Sequence, residues 1–380
     1  MCATLGARVT AGLFLTCMSL GLKAAETGVT ATEIVIGQTI ALSGSLTEHG
    51  NAVRQGIVAM LRGVNEAGGI HGRRIVLKIV DDGGDSARAT ENTKRLIQTD
   101  KVLAIFGGME GGPCVASMKV AVAARVPLIA CMAGSPELRD PFNRYVFPVR
   151  AGHYDEFARI LDIAASFGYK RIGFIHSDSD TGRKHLANVR KLLVARGLGD
   201  LALVQVLSGK PDSKLLAEQI VAANLDAVFN HGSYGVYGEV LREVRQRGGA
   251  THFLAVNSGA AQLVRALGKE AKGLIFTQVV PYPWNRSTAL AREHQQAMQK
   301  YYPGAELSFS SIEGTASAKL LAEALQLAGR DLTRERLIHV LESMSDHDIG
   351  GMTVTYGPKN RTGSTYVDTV VVASDGRFVR

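Results

Sequence analysis

From Glu33 onward the chain alternates two patterns of apolar and polar positions. EIVIGQTI, RRIVLKIV, VLAIFGG and VPLIAC are short, rich in β-branched residues, and read as strands. Between them, NAVRQGIVAMLRGVNEAGG, SARATENTKRLIQTD and PCVASMKVAVAAR repeat their apolar positions with helical spacing. Strands alternating with helices make βα units and therefore a parallel sheet. After YVFPVRAG the pattern begins again: RIGFIHSD, LALVQVL, LDAVFNHG, HFLAVN and GLIFTQ alternate with five helical segments. The expected fold class is α/β, with two doubly wound parallel-sheet lobes. Beyond residue 280 the alternation stops. PYPWNRS reads as a loop, and helical spacing covers 287–301, 312–329 and RERLIHVLESM. These late helices have no strands of their own and pack most economically on the first lobe. MTVTYG, TYVDTVVVAS and RFVR read as antiparallel strands with turns at GPKN and SDG. The expected division is 26–148 with 281–349 as the first lobe and 149–280 with 350–380 as the second.

The first 25 residues stand apart. Arg8 precedes an uncharged apolar run from Val9 to Leu22 that ends in small residues, which predicts a secretory signal cleaved near Ala24 or Ala25 and a periplasmic mature protein. An uncleaved anchor is the alternative; Cys17 fits a lipidation box poorly. Loss of the signal leaves Cys114 and Cys131, near the ends of neighbouring strands, where a bridge is allowed and free buried thiols are the expectation. The 43 Lys+Arg against 35 Asp+Glu are scattered without a basic tract, so nucleic acid is not an expected partner.

Ligands of open α/β sheets sit outside the carboxyl ends of the strands. GGMEGGPC has the glycine spacing of a phosphate loop, but Pro113 and Cys114 replace the Lys and Ser/Thr such a loop needs. With Gly112 as cap and Pro113 first in the helix, the amides of Gly111, Gly112, Cys114 and Val115 are placed to receive an anion; a turn that binds nothing is the alternative. Asp81, Asp82 and Asp85 precede a helix, where Asp85 or Ser86 reads as the N-cap. Ser135 reads as a cap before Pro136, and His49 as a solvated loop residue. No G-x-S-x-G, H-E-x-x-H, Walker or dinucleotide motif is complete, so neither an enzyme nor a cofactor is expected, a hydrolase being the remaining catalytic alternative.

The collinear series IVIGQTIALSGSLTEHGNAVRQGIVAMLRGVNEAGGIHGRRIVLKIVDDGGD, PLIACMAGSPEL, YVFPVRAG and RIGFIHSDSDTG resembles the type I periplasmic substrate-binding proteins of ABC importers, in particular the branched-chain amino-acid binding group. The resemblance implies a monomeric receptor that closes on a small ligand and delivers it to an ABC permease. It places hinge crossings near 147–151, 277–281 and 349–352. It also implies that Gly111 and Gly112 hold the ligand's carboxylate, and that Gly134 stands where the group has a Thr for the ammonium, with Ser135 as substitute. His49 and Tyr234 stand at aromatic positions around the ligand side chain, and Thr181 replaces a Tyr. Asn257 replaces the Glu that pairs with the ammonium, leaving Glu110 as the nearby carboxylate. The expected ligand is therefore a small organic acid, with an amino acid or amide as the alternative, and a sensor receptor as the alternative to import.

Overall fold

The computed structural model describes residues 26–232 and 234–380; the expected export signal lies outside the described residues. Among the described residues no helix is long and apolar enough to cross a membrane.

The first sheet contains β1 (Glu33–Ile40), β2 (Arg74–Asp81), β3 (Ala104–Phe106), β4 (Leu128–Ile129) and β5 (Val146–Phe147), all parallel, in the order β2-β1-β3-β4-β5. The helices α1 (Thr47–Glu66), α2 (Ser86–Gln98) and α3 (Gly111–Ala123) make its crossovers. Ile34, Ile36 and Ile40 of β1 are all fully buried, as a strand covered on both faces requires.

The second sheet repeats the order. It contains β6 (Ile172–Ser177), β7 (Leu203–Leu207), β8 (Ala227–His231), β9 (His252–Ala255) and β10 (Ile275–Gln278), arranged β7-β6-β8-β9-β10. Its helices are α4 (His153–Ser166), α5 (Asp180–Ala195), α6 (Ser213–Ala222), α7 (Tyr234–Gln246) and α8 (Ala260–Leu267). In each sheet the strand order reverses once, between β1 and β3 and between β6 and β8. Loops leaving such a switch point part to opposite faces and open a crevice.

The late helices α9 (Ala289–Tyr301), α10 (Phe309–Ala328) and α11 (Arg334–Glu342) lie on the first lobe. Two glycines let α10 touch α1 backbone to backbone: a Cβ on Gly56 would fall 1.9 Å from Ser311 O, and one on Gly314 would fall 2.3 Å from Val53 O. His294 of α9 completes the contact, its Nδ1 2.8 Å from Thr315 Oγ1 and its Nε2 3.0 Å from Ser311 Oγ.

A small antiparallel sheet follows, β11 (His347–Asp348), β12 (Thr353–Gly357) and β13 (Asn360–Gly363). Then β14 (Asp368–Val372) joins the second sheet antiparallel to β10, and β15 (Phe378–Val379) pairs antiparallel with β14. The third crossing is later than the expected 349–352. Met352, Val354 and Tyr356 belong to the first lobe's core, Tyr356 packing edge-on against Phe147 and donating to Pro148 O at 2.7 Å. Hydrophobic alternation marked these residues as strands but not which sheet they join.

Candidate ligand-binding site

A cavity of about 860 Å³ lies where the two switch points face each other. His49, Glu110, Gly111, Gly112, Gly134, Ser135, Thr181, Tyr234 and Asn257 all line it. Cys114 does not, because its sulfur is bonded to Cys131 and the residue is buried. The expectation of free thiols is thus corrected. The bridge ties the first turn of α3 to the end of β4, with the Cα atoms 5.9 Å apart.

The anion loop differs from its sequence reading by two residues. The helix begins at Gly111 with Glu110 as the flanking residue, and Cys114 N–H already donates to Glu110 O at 3.1 Å. Pro113 brings no N–H, so the amides left at the positive end of α3 are those of Gly111 and Gly112. Glu110 is held at φ 64 and ψ 147, a region that L-residues avoid. Ser135 precedes a short 3₁₀ turn without capping it; instead its hydroxyl stands 2.5 Å from where a Cβ on Gly111 would be. The His153 ring likewise fills the space beside Gly134, 2.6 Å from a Cβ there.

Beneath the loop sits a charge cluster on the first crossing. Arg150, 4 % exposed, donates Nε–H to Ala151 O at 2.9 Å and Nη2–H to Glu156 Oε1. Glu156 of α4 also accepts from Thr277 Oγ1 at 2.6 Å and Asn257 N at 2.8 Å, so it fastens two of the crossings. Burial alone would raise its carboxyl, but Arg150 and the His153 and Thr277 hydrogen bonds outweigh this and hold it down at about 2. Arg150 is therefore matched by Glu156. Two further carboxyls face the same cation without reaching it: Glu313 of α10, whose Oε1 is 3.9 Å from Arg150 Nε and buried without a hydrogen bond, and Glu110. Burial raises both above the ordinary carboxylate range, against the pull of Arg150. His49, expected to be solvated, lies on the first turn of α1 with Nδ1 buried and unpartnered; burial, then Arg150, push it down to about 4.

Polar contacts across the cleft include two between helices of opposite lobes. Thr181 Oγ1 and Lys184 Nζ, both on α5, donate to Glu137 Oε1 at 3.0 and 3.1 Å, so the Thr181 hydroxyl is engaged by protein. Glu48 of α1 pairs with Arg265 of α8.

A family model described as periplasmic binding protein matches residues 33–377, nearly all of the described chain. The chain belongs to the periplasmic binding protein family. The relatives of this binding protein include Leu/Ile/Val-binding protein homolog 7 of Brucella abortus, 27% identical in an alignment of 331 residues that covers 81% of each chain. An extracellular ligand-binding receptor from Verminephrobacter eiseniae superposes with a TM-score of 0.82 at 26% identity, over 92% of this chain and all of that one. A fatty acid ABC transporter substrate-binding protein from Thermomonospora curvata has a TM-score of 0.80 at 20% identity over 94% of this chain and 93% of that one, which speaks for the fold alone. The type I, two-lobed fold and the likeness to the branched-chain amino-acid binding group agree with the sequence reading.

Sequence reasoning missed Arg150, Glu156 and Glu313 in this binding protein. Glu313 was visible as a lone charge in the otherwise small and apolar SIEGTASA stretch; Arg150 stood inside the YVFPVRAG landmark. Also missed was a group of imidazoles at the cavity wall, His153 and His231 lining it and His185 lying behind them. His185 and His231 lie 4.0 Å apart between ring centroids, with His153 4.7 Å from His231. Burial keeps His185 down at about 3 and pushes His231 and His153 down as well, with His153 acting on the other two. Among the described residues no group of three or more His, Cys, Asp or Glu is placed to hold a metal ion. Asp85 caps α2 through Arg88 N at 2.8 Å, while Asp81 and Asp82 bind backbone amides and the hydroxyls of Ser43 and Thr39.

Proposed function

We propose that this protein is the periplasmic, non-enzymatic solute receptor of an ABC importer, exported by a cleaved signal, and that it captures a small carboxylate-bearing ligand that also carries an amine. The observation behind the ligand is the charge count around Arg150. Glu156 takes the hydrogen bond of that cation, leaving Glu313 only a long 3.9 Å ion pair with it and Glu110 no ion pair, in a cavity where unpaired oxygens, Glu313 Oε1 and Asn257 Oδ1, want donors. A ligand ammonium supplies both the charge and the N–H groups. The amides of Gly111 and Gly112 and the positive end of α3 suit its carboxylate. Asn257 alone pointed toward a purely acidic ligand; Glu313, from a distant part of the chain, restores the carboxylate missing at Asn257.

The importer role is supported by the family and by relatives named as Leu/Ile/Val-binding proteins. Calorimetry with free amino acids, aliphatic acids and benzoate tests the ligand. Micromolar binding of an amino acid, lost at least tenfold in Glu313→Gln, is expected. Binding of benzoate or an aliphatic acid with every amino acid silent would return the reading to a simple organic acid. Uptake of the bound compound that stops when the adjacent permease gene is deleted would establish import over sensing.

A further inference from the structure

The cleft does not end at the charged cluster. His49, Asn257 and Glu313 form a wall shared with a second chamber of about 710 Å³. Its aromatic rings come from three separate segments: Tyr282 and Trp284 from the loop after β10, Phe309 at the start of α10, and Phe378 of β15. The rings meet edge-on around Trp284, whose centroid is 4.9 Å from Tyr282 and 5.2 Å from Phe309. Although central to this group, Trp284 stays 41 % exposed, so the ring has uncovered surface on a lobe–lobe boundary. Two pairs of charges at this chamber are matched, Glu48 with Arg265 and Arg377 with Asp375. Beyond the shared wall, where His49 Nδ1, Asn257 Oδ1 and Glu313 Oε1 also lack hydrogen-bond partners, a further polar side chain is unsatisfied. Gln278, 1 % exposed, lines the chamber with both amide atoms buried and without partners. The Glu48–Arg265 and Glu137–Thr181/Lys184 contacts already join the lobes, so both chambers persist with the lobes in contact.

We propose that the ligand spans both chambers, with an α-amino-acid head at Glu110, Glu313 and Arg150 and an aryl side chain, bearing a polar atom, against Trp284 and Gln278. The inference rests on the head-group reading above. A branched aliphatic side chain would leave the rings and the Gln278 amide without contacts, and a buried amide without a partner is costly. An aromatic ring gains area and an edge or face contact together.

Trp284 is the chain's single tryptophan, so its emission reports on this chamber alone. The probes are L-leucine and L-4-nitrophenylalanine, whose nitroaryl ring quenches indole fluorescence on contact. Calorimetry should show the nitro compound binding roughly tenfold more tightly than leucine, with strong quenching by the nitro compound and none by leucine. Trp284→Ala should narrow that affinity ratio several-fold, and Trp284→Phe, which keeps a ring, should largely preserve it. Equal affinities with unchanged emission, or leucine binding with the nitro compound excluded, would overturn the aryl proposal and leave the head-group reading standing. If neither amino acid binds, both fall.

Discussion

Gly111 and Ser135 share one space. Gly111 has no side chain, yet Ser135 Oγ reaches to within 2.5 Å of where one would begin. Gly134 and His153 do the same, with an imidazole in the space that a side chain on Gly134 would take. Reading positions one at a time therefore undercounts the polar groups of the cleft, because the space beside a glycine can hold a polar group from another segment. Glu110 carries a further lesson. Its left-handed backbone costs roughly 1–3 kcal/mol in a non-glycine residue, a strain tolerable where the carboxyl has work to do. Glu110→Gly should thus raise stability in urea melts by about 1 kcal/mol or more, while weakening amino-acid binding in calorimetry. A variant that is both less stable and unimpaired in binding would contradict this account.

At the level of elements, the regular parts were the legible parts. EIVIGQTI is β1 residue for residue, because a parallel strand covered on both faces needs a continuous β-branched run. The start of α3 was misplaced because Gly112-Pro113 imitates a cap followed by a first helical residue, whereas the helix starts from a strained Glu110 that no local preference announces. The late helices pack on α1 by means that the sequence hid: Gly56 and Gly314 sit mid-helix, where glycine reads only as a weakness. Their value lies in the contact. Gly56→Ala should cost about 1–3 kcal/mol in chemical denaturation by forcing α1 from α10, even though alanine is the better helix former. An unchanged or increased midpoint would show that the helices can part freely.

For the whole molecule, Glu156 is the fastening between lobes, gripping Arg150 on one crossing and Thr277 on another. It went unread because only the fold brings residues 150, 156 and 277 together. Around it the molecule houses histidines as neutral groups: His49 and His294 are pushed down to about 4 by burial, His185 to about 3, and His153 and His231 in the same direction. Above pH 6.5 neither folded nor unfolded chain protonates them. Below it the unfolded chain takes protons that the folded one refuses, so stability falls as pH drops from about 6.5 toward about 4, each histidine contributing at most about 1.4 kcal/mol per pH unit. Glu110, Glu313, Asp82 and Asp155, raised in the fold by burial, oppose this only where carboxyls titrate, at the acid end of the range. Urea melts between pH 7.5 and 4.5 should show the decline, and His185→Phe should flatten it; a pH-independent midpoint would refute the argument. The Cys114–Cys131 bond has a consequence of another kind. It anchors the turn that presents Gly111 and Gly112, so the grip proposed for those amides would be complete only after oxidation. A newly made chain still among cellular thiols would hold its cargo loosely, and export would serve as the last step of its assembly: reduction should weaken ligand binding in calorimetry before it unfolds either lobe.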